Sequence, residues 1–226
     1  MAETGFEPRY DDLPASLPIF PLAGAMLLPR GLLPLNIFEP RYLHMIEDAL
    51  GSGRMIGMVQ PLAELAGDAA LAPVEEGVPV YPIGCAGRIS AFGEAEGGRF
   101  LITLTGVSRF RIAGELPPAS RGYRRIVPDW APFRADLDAE PPVDIDRPRL
   151  TVATRRFFEM NGIAADWESI ERTPDGKLVT ALAMMCPFSP CEKQALLEAA
   201  DSAERCRVII ALMEMAGVED GRAARH

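Results

Sequence analysis

Histidine is almost missing from this chain: His44 and His226 are the only two among 226 residues. A histidine-rich metal centre is thereby excluded, and so is any relay needing two imidazoles. Cysteine is also sparse, with Cys85, Cys186, Cys191 and Cys206 as the full set. Four residues separate Cys186 from Cys191, so local spacing builds no zinc knuckle. With a large apolar core and a reducing compartment, buried thiols are expected in place of two disulfides, and no metal or cofactor is expected. Long hydrophobic runs are lacking as well. The stretch at 208–213 is far short of the roughly 20 apolar residues that a bilayer core demands. The first twelve residues are acidic and carry no basic segment followed by an apolar one, so they do not resemble a signal peptide, and none is expected. A soluble cytoplasmic protein is the expectation, without membrane association.

Positive charge is the minority sign. Lys and Arg total 23 against 32 Asp and Glu, a formal charge of -9, so long-range forces repel nucleic acid and anionic lipid. Arg121, Arg124 and Arg125 form a local exception. They are expected to coat the solvent face of a strand; as anion contacts they belong to the alternative reading below.

Catalytic signatures fail one after another. Gly176-Lys177 is followed by Leu178 and has Glu171 where a phosphate-cradling loop needs its first glycine. Gly51-Ser-Gly53-Arg-Met-Ile-Gly57 has the wrong spacing for a dinucleotide loop and runs from helix to strand, the reverse of the required order. Gly106-Val-Ser108-Arg-Phe110 lacks the closing glycine of a nucleophile elbow. His44 falls on the polar side of a helix near Glu47 and Asp48 but has no nucleophile nearby in sequence, so a solvated surface histidine is expected. No enzymatic activity is expected.

What is present is a chain long enough, and at 48% hydrophobic apolar enough, to bury a substantial core. Its first half reads as strands at 17–22, 54–60, 80–90, 99–105, 108–113 and 123–130, rich in β-formers and bounded by Gly or Pro. Gly93-Glu-Ala-Glu-Gly-Gly98 reads as a hairpin tip. One helix interrupts them: Tyr42, Met45, Ile46, Ala49 and Leu50 share a face, Pro40 can start the helix, and Gly51 can close it in a left-handed conformation. Residues 131–148 turn Pro- and acid-rich and predict a linker, which bounds a first domain at 1–130.

The second half, 149–217, predicts a helical bundle, with 218–226 as a flexible tail. Leu150, Ala153, Phe157 and Phe158 mark one amphipathic helix stopped by Asn161-Gly162. Thr173 is expected to cap a second. Ser189-Pro-Cys-Glu192 has the spacing of a capping box, and Asp201 or Ser202 caps a last helix that ends at Gly217.

Several segments taken together resemble the N-terminal substrate-binding domain of the Lon protease: Leu17-Pro-Ile-Phe-Pro-Leu22, Pro34-Leu-Asn-Ile-Phe-Glu-Pro-Arg-Tyr42, Tyr81-Pro-Ile-Gly84 with Arg88-Ile89, and Thr105-Gly-Val-Ser-Arg-Phe-Arg111. Their order agrees, and Lys193-Gln-Ala-Leu-Leu-Glu198, Ala203-Glu-Arg-Cys-Arg207 and Leu212-Met-Glu-Met215 extend the likeness to the helical end. Phe38-Glu-Pro-Arg-Tyr42 is its most specific piece. The resemblance implies an α+β protein, a PUA-like β-barrel with one inserted helix followed by a helical bundle. It also implies a free-standing, non-catalytic member, since 226 residues leave no room for ATPase or peptidase modules. Cys85 and Gly87 depart from the family pattern and are expected to loosen one strand.

The implied function is recognition of unfolded or damaged polypeptide, assisting or regulating proteolysis alongside a protease component. Met26, Leu27, Leu28, Leu32, Leu33, Ile37 and Phe38 form the candidate binding patch, because Pro29, Gly31 and Pro34 make this stretch hard to bury in regular sheet. The bland alternative is that these side chains fill the barrel. Glu39 and Arg41 are expected to form a local ion pair. A different class of function, an RNA- or nucleotide-binding PUA-like protein or an enzyme of unknown reaction, would use Arg121, Arg124 and Arg125.

Overall fold

The computed structural model describes residues 8–62, 77–139 and 143–223, with side chains to Gly217. Its first part holds six strands, β1 (Leu17–Pro21), β2 (Leu32–Ile37), β3 (Met55–Val59), β4 (Ile83–Ala95), β5 (Arg99–Leu116) and β6 (Arg125–Asp129). β1 pairs with β3 in parallel, and the other pairings are antiparallel. Because β6 pairs with both β1 and β5, the ladder returns on itself through β1, β3, β4, β5 and β6. β2 is added outside this circuit, and among the described strands it is hydrogen-bonded only to the first half of β5.

β5 is one strand where the sequence predicts two. Gly106 breaks the hydrophobic pattern, yet the strand continues through it because another piece of backbone lies against that position. A Cβ built there would stand 1.9 Å from the Leu28 carbonyl oxygen. Gly87 works similarly: the Leu27 side chain occupies the place of its missing Cβ, 2.5 Å away. The register shift between Ala86 and Gly87 falls at this contact, so β4 is locally irregular where Gly87 seats Leu27.

Leu17, Ile19, Phe110, Ile126 and Trp130 fill the inside of the circuit. Phe110 meets Trp130 edge to face at 5.7 Å, and the Trp130 indole N–H donates to the Pro14 carbonyl, so its polar edge is satisfied despite burial. Each such side chain contributes about 1.5–3 kcal/mol of apolar transfer.

The helix α1 (Pro40–Gly51) buries Tyr42, Met45, Ile46 and Ala49, and Tyr42 packs on Phe20 with ring centroids 4.2 Å apart. Gly51 remains helical. The left-handed residues that turn the chain toward β3 are Gly53 and Arg54, at φ 89° and 63°.

The first unit extends through Ala139, nine residues beyond the expected boundary at Trp130. Ala131–Leu137 forms a 3-10 helix on β5 in place of a linker. Composition misleads here because the carboxylate of one acid in this segment is largely enclosed: Asp136 pairs with Arg109 of β5 at 2.8 Å, with side chains 9% and 7% exposed. Asp136 also accepts the Arg109 main-chain N–H, and the Arg109 guanidinium lies over the Phe133 ring.

The second unit is helical: α2 (Arg147–Met160), α3 (Trp167–Arg172), α4 (Asp175–Met185), α5 (Pro190–Glu198) and α6 (Ser202–Ala223). α2, α4 and α5 all pack on α6. Leu150, Phe157, Val179, Leu182, Leu197, Ile209, Ile210 and Met213 are buried. Gly162, at φ 63°, follows α2 as the expected stop, and the Ser189–Glu192 capping box forms. Asp201 is the acceptor at the start of α6. Two expectations fail. Thr173 hydrogen-bonds back to Ser169 and closes α3, a helix too short to show periodicity, so Pro174 precedes α4 without a side-chain cap. α6 also continues through Gly217 to Ala223, replacing most of the expected tail; residues 224–226 lie outside the described residues.

Candidate functional site

Pairing register decides which side chains β2 offers to solvent. Leu33, Leu35 and Ile37 oppose Leu104, Ile102 and Phe100, while Leu32, Pro34 and Asn36 oppose Thr105, Thr103 and Leu101. Partners directly opposite share a face. The first set faces inward, where Ile37, Ile102, Leu104 and Ile89 are buried. The second forms an outer face on which Leu32 is 64% and Leu101 52% exposed, with Pro34 between them and exposed too. Phe38, just past the strand, is 58% exposed.

The predicted patch is therefore divided. Met26, Leu27, Leu28 and Ile37 are at most 2% exposed, so for these four the core-filling alternative holds. Leu33 is half-buried on the inward face. Only Leu32 and Phe38 are open. The reason is that 32–37 is a regular strand after all, since Pro34 costs little where pairing exists on one side only. Leu101 and Pro34 were not among the predicted residues. Their exposure follows from alternation on a strand pair whose partner only the fold identifies. Phe92, 40% exposed in β4 and edge to face with Phe100 at 5.1 Å, belongs to the opposite face.

Arg121, Arg124 and Arg125 do not converge. Arg121 donates to Glu47 and Asp48 of α1, both at 2.7 Å. Arg124 grips Glu115 with two bonds and reaches the Val78 carbonyl, and Arg125 donates to the Pro117 carbonyl. The first two precede β6, so they do not coat a strand as expected; they tie a turn to neighbouring elements. A hydrogen bond from Tyr123, then one from Arg121, holds the Asp48 carboxyl below its ordinary range. Arg124 does the same for Glu115. Two of the three cations thus already have carboxylate partners.

Glu39 and Arg41 make the anticipated local pair, with Glu39 accepting from the Arg41 Nε at 3.1 Å and from Nη2 at 2.9 Å. Arg41 lies 4.6 Å above the Tyr42 ring, and burial pushes the Tyr42 phenol up to about 12. His44 is half-buried, and its Nδ1 is buried without a hydrogen-bond partner, so it is not the solvated histidine predicted. All four cysteines are thiols outside any disulfide, Cys85, Cys186 and Cys206 buried but Cys191 exposed. Cys191 is the exception to the buried-thiol expectation because it sits in the first turn of α5, outside the bundle core. Desolvation raises the Cys186 and Cys206 thiols to about 12 and 11. Among the described residues no cluster of three His, Cys, Asp or Glu side chains is placed to hold a metal, and no helix is long and apolar enough to cross a membrane.

Comparison with known proteins places this arrangement. Residues 16–215 match the family described as the ATP-dependent protease La (LON) substrate-binding domain. Lon protease 2 of Sorangium cellulosum is 27% identical over 207 residues, 88% of this chain, and that of Myxococcus xanthus 25% over 209, 90% of this chain. The matched part is 24% of the length of each protease. The crystal structure of a Lon N-terminal domain protein from Xanthomonas campestris superposes with a TM-score of 0.56 at 24% identity, covering 87% of this chain and 97% of that one. The N-terminal domain of Mycobacterium avium complex Lon protease gives 0.55 at 17% identity, covering 88% and 98%.

Proposed function

This chain belongs to the family of the ATP-dependent protease La (LON) substrate-binding domain, and on that premise we propose that it is a non-catalytic recognition module for unfolded or damaged polypeptide. The observation that carries the reading is the set of exposed apolar side chains on the outer face of β2 and β5, where Leu32, Pro34 and Leu101, interleaved with Asn36, Thr103 and Thr105, are open to solvent beside Phe38. Apolar side chains of an unfolded chain gain transfer free energy on such a face, whereas a folded protein hides the side chains that would dock there. The closed circuit of strands is, in this reading, a small PUA-like barrel serving as a rigid platform, and the module works in the cytoplasm to assist or regulate proteolysis.

An RNA-binding role gains less support. The three arginines it would need are spread over separate partners, and Arg121 and Arg124 are already paired with carboxylates. The test is fluorescence anisotropy of the protein against a labelled, permanently unfolded polypeptide, with the folded form of that polypeptide and a short RNA as controls. Selective binding of the unfolded chain is expected. Binding of the RNA alone would overturn the proposal.

A further inference from the structure

Arg30 holds a backbone conformation that its side chain disfavours. It sits at φ 64° in the turn Leu28–Pro29–Arg30–Gly31, closed by the Gly31 N–H donating to the Leu28 carbonyl at 2.9 Å. Proline second and a left-handed residue third is the pattern of a type II turn, whose third place favours glycine. The main-chain bonds around it, Arg30 N–H to the Gly106 carbonyl and Gly106 N–H to the Gly31 carbonyl, both 2.8 Å, would form equally well with glycine at position 30. The side chain supplies what glycine cannot. Its guanidinium reaches across to the 131–138 segment and donates to the Asp136 and Asp138 carbonyls. Strained residues persist where surrounding contacts hold them, and they mark sites with a mechanical or binding task.

The same segment is gripped from the other side. Arg109 of β5 binds the Asp136 carboxylate through its main-chain N–H, Nε and Nη2, at 2.8–2.9 Å. Residues 136–138 are thus held between β5, which carries Leu101 and pairs with β2, and the turn from which β2 departs. Leu137 ends the 3-10 helix by which the chain approaches the end of its first unit at Ala139.

We propose that Arg30 is a latch, a positioning residue whose left-handed strain is tolerated because it fastens the turn leading into β2 to the segment by which the chain leaves the first unit. The latch makes the state of the β2–β5 face felt at Asp138. That transmission rests on the polypeptide-binding reading above; the latch itself does not.

Native-state hydrogen exchange on the full chain separates the two. In Arg30→Gly the turn keeps its bonds and loses its strain, so the Gly31 and Gly106 amides stay protected and Tm does not fall. The Asp138 amide, bonded to the Ala135 carbonyl at 3.2 Å, exchanges about five-fold faster, the factor that one net hydrogen bond sustains. Arg30→Lys, which restores a charged donor in the same place, recovers part of that protection. Unchanged exchange at Asp138 in Arg30→Gly would overturn the latch. So would loss of Gly31 and Gly106 protection together with a lowered Tm, since Arg30 would then serve the turn alone. Reduced, carboxymethylated α-lactalbumin at saturation is expected to slow Asp138 exchange in the parent protein and leave it unchanged in Arg30→Gly. Equal slowing in both removes the transmission, whereas failure of the parent protein to bind this polypeptide counts against the proposed function and leaves the ligand-free latch result standing.

Discussion

Gly106 lies directly against the main chain of Leu28: a Cβ placed on it would stand 1.9 Å from the Leu28 carbonyl oxygen and 3.2 Å from the Pro29 Cα. The obstruction is backbone on both sides, and Gly106 is itself bonded to Arg30 and Gly31, so neither partner can yield cheaply. Gly106→Ala is expected to destabilise the fold by about 3 kcal/mol, at the upper end for overpacking. Gly93, in β4 with open space at its Cβ position, is the control, and Gly93→Ala should change stability by less than about 0.5 kcal/mol. Urea unfolding midpoints of the two variants check the contrast.

Asp136→Ala leaves the Arg109 guanidinium buried without its carboxylate. Removing one member of a buried pair costs about 3–5 kcal/mol, and the side-chain exposures of 7% and 9% place this pair in that class. Arg172→Ala breaks the Glu168–Arg172 pair, where both side chains are more than 70% exposed, and should cost no more than about 0.5 kcal/mol. Comparable losses in the two variants, measured by chemical denaturation, would contradict the assignment of 131–137 to the first unit's packing.

Acid should weaken the tie between α1 and the turn before β6. The Asp48 carboxyl is lowered in the folded state by hydrogen bonds from Tyr123 and Arg121. A depressed folded value gives stability that is fully present above the unfolded aspartate range and is lost as pH falls through the folded value. Glu115, lowered by Arg124, acts in the same direction. The Tm difference between the parent protein and Asp48→Asn should therefore shrink as pH falls from about 6 to about 2.5. A difference that stays constant across that range would remove Asp48 from the acid response.

Only one thiol should react in the native protein. Cys191 is exposed, while Cys85, Cys186 and Cys206 are buried and burial keeps Cys186 and Cys206 protonated. Mass spectrometry after brief alkylation at neutral pH should show one adduct, and four after denaturation, with the native adduct absent from Cys191→Ser.

Much of the local chemistry was legible in adjacent residues, the exceptions being the caps expected at Gly51 and Thr173, which went to Gly53–Arg54 and to the short helix α3. The α1 face, the Ser189–Glu192 box, the stop at Gly162 and the Glu39–Arg41 pair all depend on contacts within a few positions. Long-range pairing was not. Gly106 and Gly87 read as pattern breaks because the Leu27–Leu28 segment filling their space is distant in sequence. Asp136 read as linker charge because its partner Arg109 is 27 positions away. The patch was half legible for the same reason: the run of apolar residues at 26–38 is visible, but which of them point outward depends on the β2–β5 register. That register buries Ile37, exposes Leu32 and brings up Leu101 from the neighbouring strand.

Anisotropy titration of Leu32→Asp and Leu101→Asp asks whether the outer face of β2 and β5 binds unfolded polypeptide. Both side chains are more than half exposed, so each variant should keep the parent Tm within about 2 °C. Each should raise the Kd for a permanently unfolded polypeptide by about ten-fold or more, the effect of losing an apolar anchor and placing a charge in its position. Parent-like affinity in both well-folded variants would contradict the assignment of recognition to this face.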